Sequence, residues 1–265
     1  MAHIALDSAR EGPAIPTVNS ITLDHPWRWL EAGWQDLRRS PKFSLSYGAF
    51  FVVVSALLTL GLFNGHMFFL VPPLAAGFFL IAPMLGVGLY QISRNNERNQ
   101  EVHFCQAIEA WNSNPVHLSA MCVVLVFIML LWMLAANLVF ALFFTQPMPP
   151  WENFIPVVFL SGDNMGFVLA GVVSGALIAL FTFSISAVTA PMLMDRQTDV
   201  MTAMRTSMRA VIQNWRPMLL WASLIAMFVG IGIFTFYLGL LVAMPLVGHA
   251  TWHAYRDVVD ASEWP

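Results

Sequence analysis

The sequence predicts an all-α polytopic membrane protein with six transmembrane helices, organised as three repeats of an interfacial helix plus a transmembrane hairpin. Three observations carry this reading. Only 10% of the 265 residues are charged, against about a quarter in ordinary soluble domains. No Asp, Glu, Lys or Arg occurs in 43–93, 110–151, 164–194 or 217–255, and charge-free runs of that length exclude a soluble globule. A charged, Trp-containing, amphipathic segment ending at a proline also recurs before each odd-numbered span.

Residues 1–25 read as a flexible cytoplasmic tail without the apolar stretch of a cleavable signal peptide. Residues 26–265 read as one membrane domain, with repeats at about 26–94, 95–196 and 197–258. A helix crosses the hydrocarbon core in about 20 residues, so the first run holds two spans, Phe43 to Phe63 and Met67 to Tyr90, around a polar turn at Asn64, Gly65 and His66. The third span follows Pro115 and ends near Phe144, because the prolines of TQPMPP (145–150) remove amide donors. The fourth runs from Gly166 to about Met194. As a single helix, Pro217 to Val247 would reach about 46 Å across a core of about 30 Å. A hairpin turning near Thr235 to Gly239 is therefore expected. The external loop 147–166 is open to two readings, a segment lying on or in the membrane surface and a partner-docking patch.

With six spans all 12 Lys and Arg fall on one side, and the other side carries only Glu152 and Asp163. The positive-inside rule then places both termini in the cytoplasm. Cys105 and Cys122 are two isolated thiols for which packing, not pairing, is the expectation.

The repeated segments are WRWLEAGWQDLRRSP (27–41), EVHFCQAIEAWNSNP (101–115) and VMTAMRTSMRAVIQNWRP (200–217), with Trp34, Trp111 and Trp215 near their ends. Trp and basic side chains suit the headgroup region, as expected of helices lying on the membrane surface. Each even-numbered span carries a proline near its cytoplasmic end: Pro83, Pro191 and Pro245. They read either as a shared hinge or gate or as an inherited packing kink.

His249, His253 and Asp257 are spaced four apart, so a helix places them on one face where they could ligate a transition metal or haem. The alternative is interfacial anchoring. Gly171 and Gly175 offer close helix packing, within the bundle or in a homo-oligomer. Intramembrane polar groups are few: Asn137, Ser174, Thr182, Ser184 and Ser186 stand out. No ionisable residue lies mid-span, which disfavours ion-coupled transport and leaves room for a neutral or lipid-like substrate. A net charge of −3 without a basic cluster gives no support to nucleic-acid binding. No catalytic grouping stands out, so enzymatic activity is not expected.

The segments HPWRWLEAGWQDLRRSPKFSLSYGAFF (25–51), NWRPMLLWASLI (214–225) and LLVAMPLVGHATWHAYRDVV (240–259) together resemble a proteobacterial family of predicted six-span integral membrane proteins, catalogued as a domain of unknown function. The resemblance implies an inner-membrane location and no activity. Some members carry the label cytochrome c oxidase subunit I, which the residues here do not support, since no histidine lies in the middle of a span. Three readings follow. The first is a non-enzymatic scaffold, assembly factor or accessory subunit whose partners are the bilayer and other inner-membrane proteins. The second is a permease for a neutral or lipid-like molecule, which requires a cavity lined by Asn137 and the span-four hydroxyls. The third is a metal or haem protein using His249 and His253.

Overall fold

Each amphipathic segment folds as a helix and meets the long apolar helix after it at a proline, which fits a first helical turn because its missing amide would have no partner there. The computed structural model describes residues 16–67, 70–103, 105–143, 153, 156–157 and 162–260. Most of the external loop, including Trp151 and Phe154, lies outside the described residues, as do residues 1–15. The helices are α1 (His25–Arg39), α2 (Pro41–Asn64), α3 (Val71–Leu85), α4 (Val87–Glu97), α5 (Gln106–Asn112), α6 (Pro115–Phe143), α7 (Met165–Ser186), α8 (Thr189–Asp195), α9 (Val200–Gln213), α10 (Trp215–Phe234) and α11 (Leu240–Val258).

Five helical stretches are long and apolar enough to cross a membrane: α2, α3 continued by α4, α6, α7 continued by α8, and α10. Their outward faces are large apolar side chains, such as Val123, Phe127, Leu130, Leu134 and Leu138 along α6. The expected turn after α10 is present at residues 235–239, where Phe236 and Tyr237 take φ of 54° and 68°. The chain then reverses into α11. This helix is more polar than the others and lies largely enclosed, against α1, α2, α4 and α10. Two glycines permit the closest approaches. A Cβ on Gly33 would stand 2.8 Å from the Ala250 nitrogen, and one on Gly48 would stand 2.8 Å from the Leu241 carbonyl carbon.

The junctions between amphipathic and long helices are buried and polar, so each needs hydrogen-bond partners. Ser40 Oγ donates to Asn96 Oδ1 at 3.0 Å. Asn114 Nδ2 donates to the Thr198 carbonyl at 2.9 Å. Asn214 Nδ2 donates to the Asn19 carbonyl at 2.9 Å, while its Oδ1 accepts from the Ile21 amide at 2.9 Å. Residues 16–24, read from sequence as tail, are thus fastened to the α9–α10 junction. Strand β1 (Thr17–Val18) also pairs antiparallel with β2 (Val259–Asp260).

Within the apolar layer the helices separate into two groups of three. Helix α6 packs on both α3 and α7, and α11 packs on both α2 and α10. Near the Arg-bearing ends α4, α8 and α9 join the groups into a core around Val87, Val188, Met192, Trp252 and Tyr255, while α1 packs with α10 and α11 around Trp29 and Trp221.

The three prolines do not share one geometry. Past Pro83 the helix breaks at Gly86. A break at Ala187 and Val188 precedes Pro191, which sits in the first turn of α8. Helix α11 runs through Pro245 without interruption. A shared bend, as the sequence spacing suggested, is therefore absent, because neighbouring helices hold each even-numbered stretch differently.

Candidate functional site

Between the two three-helix groups lies a cavity of about 540 Å³, within the range of about 300–1,000 Å³ typical of small-molecule sites. On one flank, Ala176 and Ala179 of α7 face Ala222, Ser223 and Ala226 of α10. Of these five, four are exposed and Ala222 is half-buried. Small side chains on both helices leave a lateral opening at the level of the apolar layer. Trp132 stands at the other end, its indole N–H donated to the Pro73 carbonyl at 2.8 Å.

The floor carries Tyr90, Thr182, Ser186 and Thr251. Each hydroxyl donates to a backbone carbonyl of its own helical stretch: Thr182 to Ile178 at 2.8 Å, Ser186 to Thr182 at 2.7 Å, Thr251 to Val247 at 2.8 Å and Tyr90 to Pro83 at 2.9 Å. Their protons are committed, so they offer the cavity lone pairs and no charge. Among the described residues no Asp, Glu, Lys, Arg or His lines the space. Beneath the floor Val188 and Trp252 are fully packed, and the cavity does not continue through them.

A buried polar layer ties α1, α2, α4 and α11 together below the cavity. His249 is wholly buried, with Nε2 2.9 Å from Ser44 Oγ and Nδ1 2.8 Å from Ser93 Oγ. Asp36 lies beside these residues, with its Oδ2 2.8 Å from His253 Nε2 and its Oδ1 accepting from Asn96 Nδ2 at 3.0 Å. These contacts are met when Ser44 donates to Nε2, Nδ1–H donates to Ser93, and His253 donates to the Asp36 carboxylate. Burial pushes the Asp36 carboxyl up, but the hydrogen bond from His253, with the Ser93 hydroxyl nearby, outweighs it and holds the group below the ordinary carboxylate range. Beside this layer Asp195, nearly buried, joins the ends of three stretches. Arg94 Nε lies at 3.2 Å, Arg196 Nε at 3.3 Å, and the Tyr255 hydroxyl donates to it at 3.0 Å.

The sequence-predicted residues divide accordingly. Thr182 and Ser186 line the cavity, as do Pro83 and Gly175. Asn137 does not: it is exposed and donates to the Met133 carbonyl at 2.7 Å. Ser174 and Ser184 bond back to Ala170 and Leu180 on their own helix and stay outside the lining. Gly175 lies against Trp132, whereas Gly171 faces open space. His249, His253 and Asp257 turn to separate partners, Asp257 accepting the Trp29 indole N–H at 2.8 Å. Among the described residues no cluster of three or more His, Cys, Asp or Glu is arranged for a metal. Spacing alone could not reveal Ser44 and Ser93, since their connection to His249 spans 205 and 156 positions.

No curated protein and no solved structure matches the chain. Residues 70–195, just under half of it, match the model of a family described as Predicted integral membrane protein (DUF2189). The matched part covers the α3–α8 region and lies outside the three segments that carried the sequence resemblance. This protein is thus an integral membrane protein similar to a family of unknown function.

Proposed function

We propose that the protein is a six-span inner-membrane protein of three interfacial-helix-plus-hairpin units, and that it takes a neutral, lipid-like small molecule into the cavity between its two halves. The single observation carrying the function is the cavity itself: uncharged, walled by small apolar residues and open sideways between α7 and α10. A molecule dissolved in the bilayer could enter there without crossing water. The hydroxyl lone pairs at the floor suit a donor such as an alcohol or amide on an otherwise apolar ligand. The scaffold reading has no comparable feature in its favour.

The sixth span would be α11. In this reading the crossing part of α11 is its apolar stretch before His249, and the rest of the helix carries the buried polar layer on the cytoplasmic side. Its lower hydropathy fits its position, because a helix surrounded by protein need not present apolar groups to lipid. The positive-inside pattern supports cytoplasmic termini.

A photoactivatable diazirine analogue of diacylglycerol, with the purified protein in nanodiscs, tests the function. Crosslinks are expected to concentrate on 176–183 and 219–226, and Ala179→Phe with Ala226→Phe should reduce them several-fold by filling the opening. Labelling spread evenly over all lipid-facing helices, and unchanged in the double variant, would reject the reading.

A further inference from the structure

We propose that a second pocket, between the α1–α2 junction and the end of α4, binds the phosphate of an anionic phospholipid headgroup through Arg39 and Lys42. The pocket has a volume of about 400 Å³, and its walls also include Phe43, Gln100 and Val102. This site is independent of the apolar cavity and of the function assigned to it.

Arg94, Arg98 and Arg196 are gathered by Asp195, and Arg256 by Glu97. Arg39 and Lys42 have no carboxylate partner among the described residues, and no carboxylate lines the pocket. Arg28, Arg38, Arg205, Arg209 and Arg216 also lack a carboxylate partner among the described residues, and Arg39 and Lys42 differ from them in lining one pocket together. Two positive charges on one wall without a counter-ion suit an anion.

Arg39 is also held in place. Its NH1 donates to the Asn96 carbonyl at 3.0 Å and its NH2 to Asn99 Oδ1 at 2.6 Å. Two of the five guanidinium N–H groups are thereby used to orient the plane, and the others remain to meet phosphate oxygens. Lys42 adds three mobile donors from the first turn of α2. Gln100 contributes an amide beside them.

Depth identifies the source of the phosphate. Pro41 begins a membrane-crossing helix and Phe43 begins the charge-free run, so the pocket stands where headgroups lie. Basic pockets at that level between membrane helices recognise acidic headgroups. Phe43 and Val102 give the glycerol and first acyl carbons an apolar surface. A soluble phosphate would use the same two cations and gain nothing from those side chains.

Native mass spectrometry of the full chain in detergent, titrated separately with phosphatidylglycerol, phosphatidylethanolamine and inorganic phosphate, tests this. Phosphatidylglycerol adducts are expected to exceed phosphatidylethanolamine adducts. Lys42→Gln should weaken phosphatidylglycerol binding about fivefold, the factor expected for one cation near an anionic lipid surface. Lys42 is exposed, so this variant keeps the fold. Arg39→Gln should weaken binding at least as much. Equal loss in Arg209→Gln, an exposed cation of α9 outside the pocket, would replace the site with diffuse attraction and overturn the proposal. Binding of inorganic phosphate without phosphatidylglycerol would overturn the lipid source, and unchanged phosphatidylglycerol binding in Lys42→Gln would overturn the site.

Discussion

Nδ1 of His249 lies 2.8 Å from Ser93 Oγ, and neither residue has any exposed surface. An imidazole between two serines would suggest nucleophilic chemistry if a substrate could reach it. Here it is closed on all sides and serves to hold α1, α2, α4 and α11 together.

Removing one link should therefore cost stability. Ser93→Ala leaves the buried Nδ1–H of His249 without its acceptor, a loss of about 1–3 kcal/mol. Thermal unfolding in detergent reads it. Ser46→Ala is the comparison, because Ser46 is exposed and bonds only the Lys42 carbonyl of its own turn. Equal melting of the two variants would remove the buried network as a source of stability.

Acid should loosen the same layer. The folded-state pKa of Asp36 is depressed below the ordinary carboxylate value. The stabilisation it provides is thus fully present above that value and is lost as pH falls through the lower folded-state value. Asp36→Asn should flatten the melting curve against pH below about 4. A wild-type profile identical to that of Asp36→Asn in this range would refute the assignment.

Glycines should differ sharply by position. Gly48→Ala places a methyl against the Leu241 backbone, which cannot rotate away, so α2 and α11 must part at a cost of about 1–3 kcal/mol. Gly171 meets nothing within 4 Å, and its change to Ala in a helix should be neutral or stabilising by up to about 1 kcal/mol. Comparable destabilisation by both would argue against the α2–α11 contact.

Topology can be read by labelling intact cells with an impermeant maleimide in single-cysteine variants. Phe236→Cys, in the exposed turn before α11, should react from outside, and native Cys105, also exposed, only after permeabilisation. Protection of Phe236→Cys in intact cells would exclude six spans with internal termini.

Much of the architecture was legible because hydropathy and charge are local properties of the chain. Charge-free runs located the apolar helices, and the overlong run after Pro217 implied the turn found at residues 235–239. The proline-ended amphipathic segments correspond to α1, α5 and α9. Spacing was less informative where a side chain could turn to several partners. His249, His253 and Asp257 follow one helical register, yet their partners come from α1, α2 and α4. Asn137, expected to line a cavity under the permease reading, is exposed and bonds its own helix instead.

The sequence by itself determined that this chain lives in a membrane, which stretches form its apolar helices, and where its charge gathers. Each follows from the free energy of moving side chains and backbone amides between water and hydrocarbon, which depends on composition along the chain. Only the tertiary structure decided that α11 lies at the centre, that two groups of helices stand apart around a cavity, and that Arg39 and Lys42 share a pocket. Those depend on which faces meet, and the meetings turn on small residues such as Gly48 and on hydrogen bonds between positions far apart in the chain.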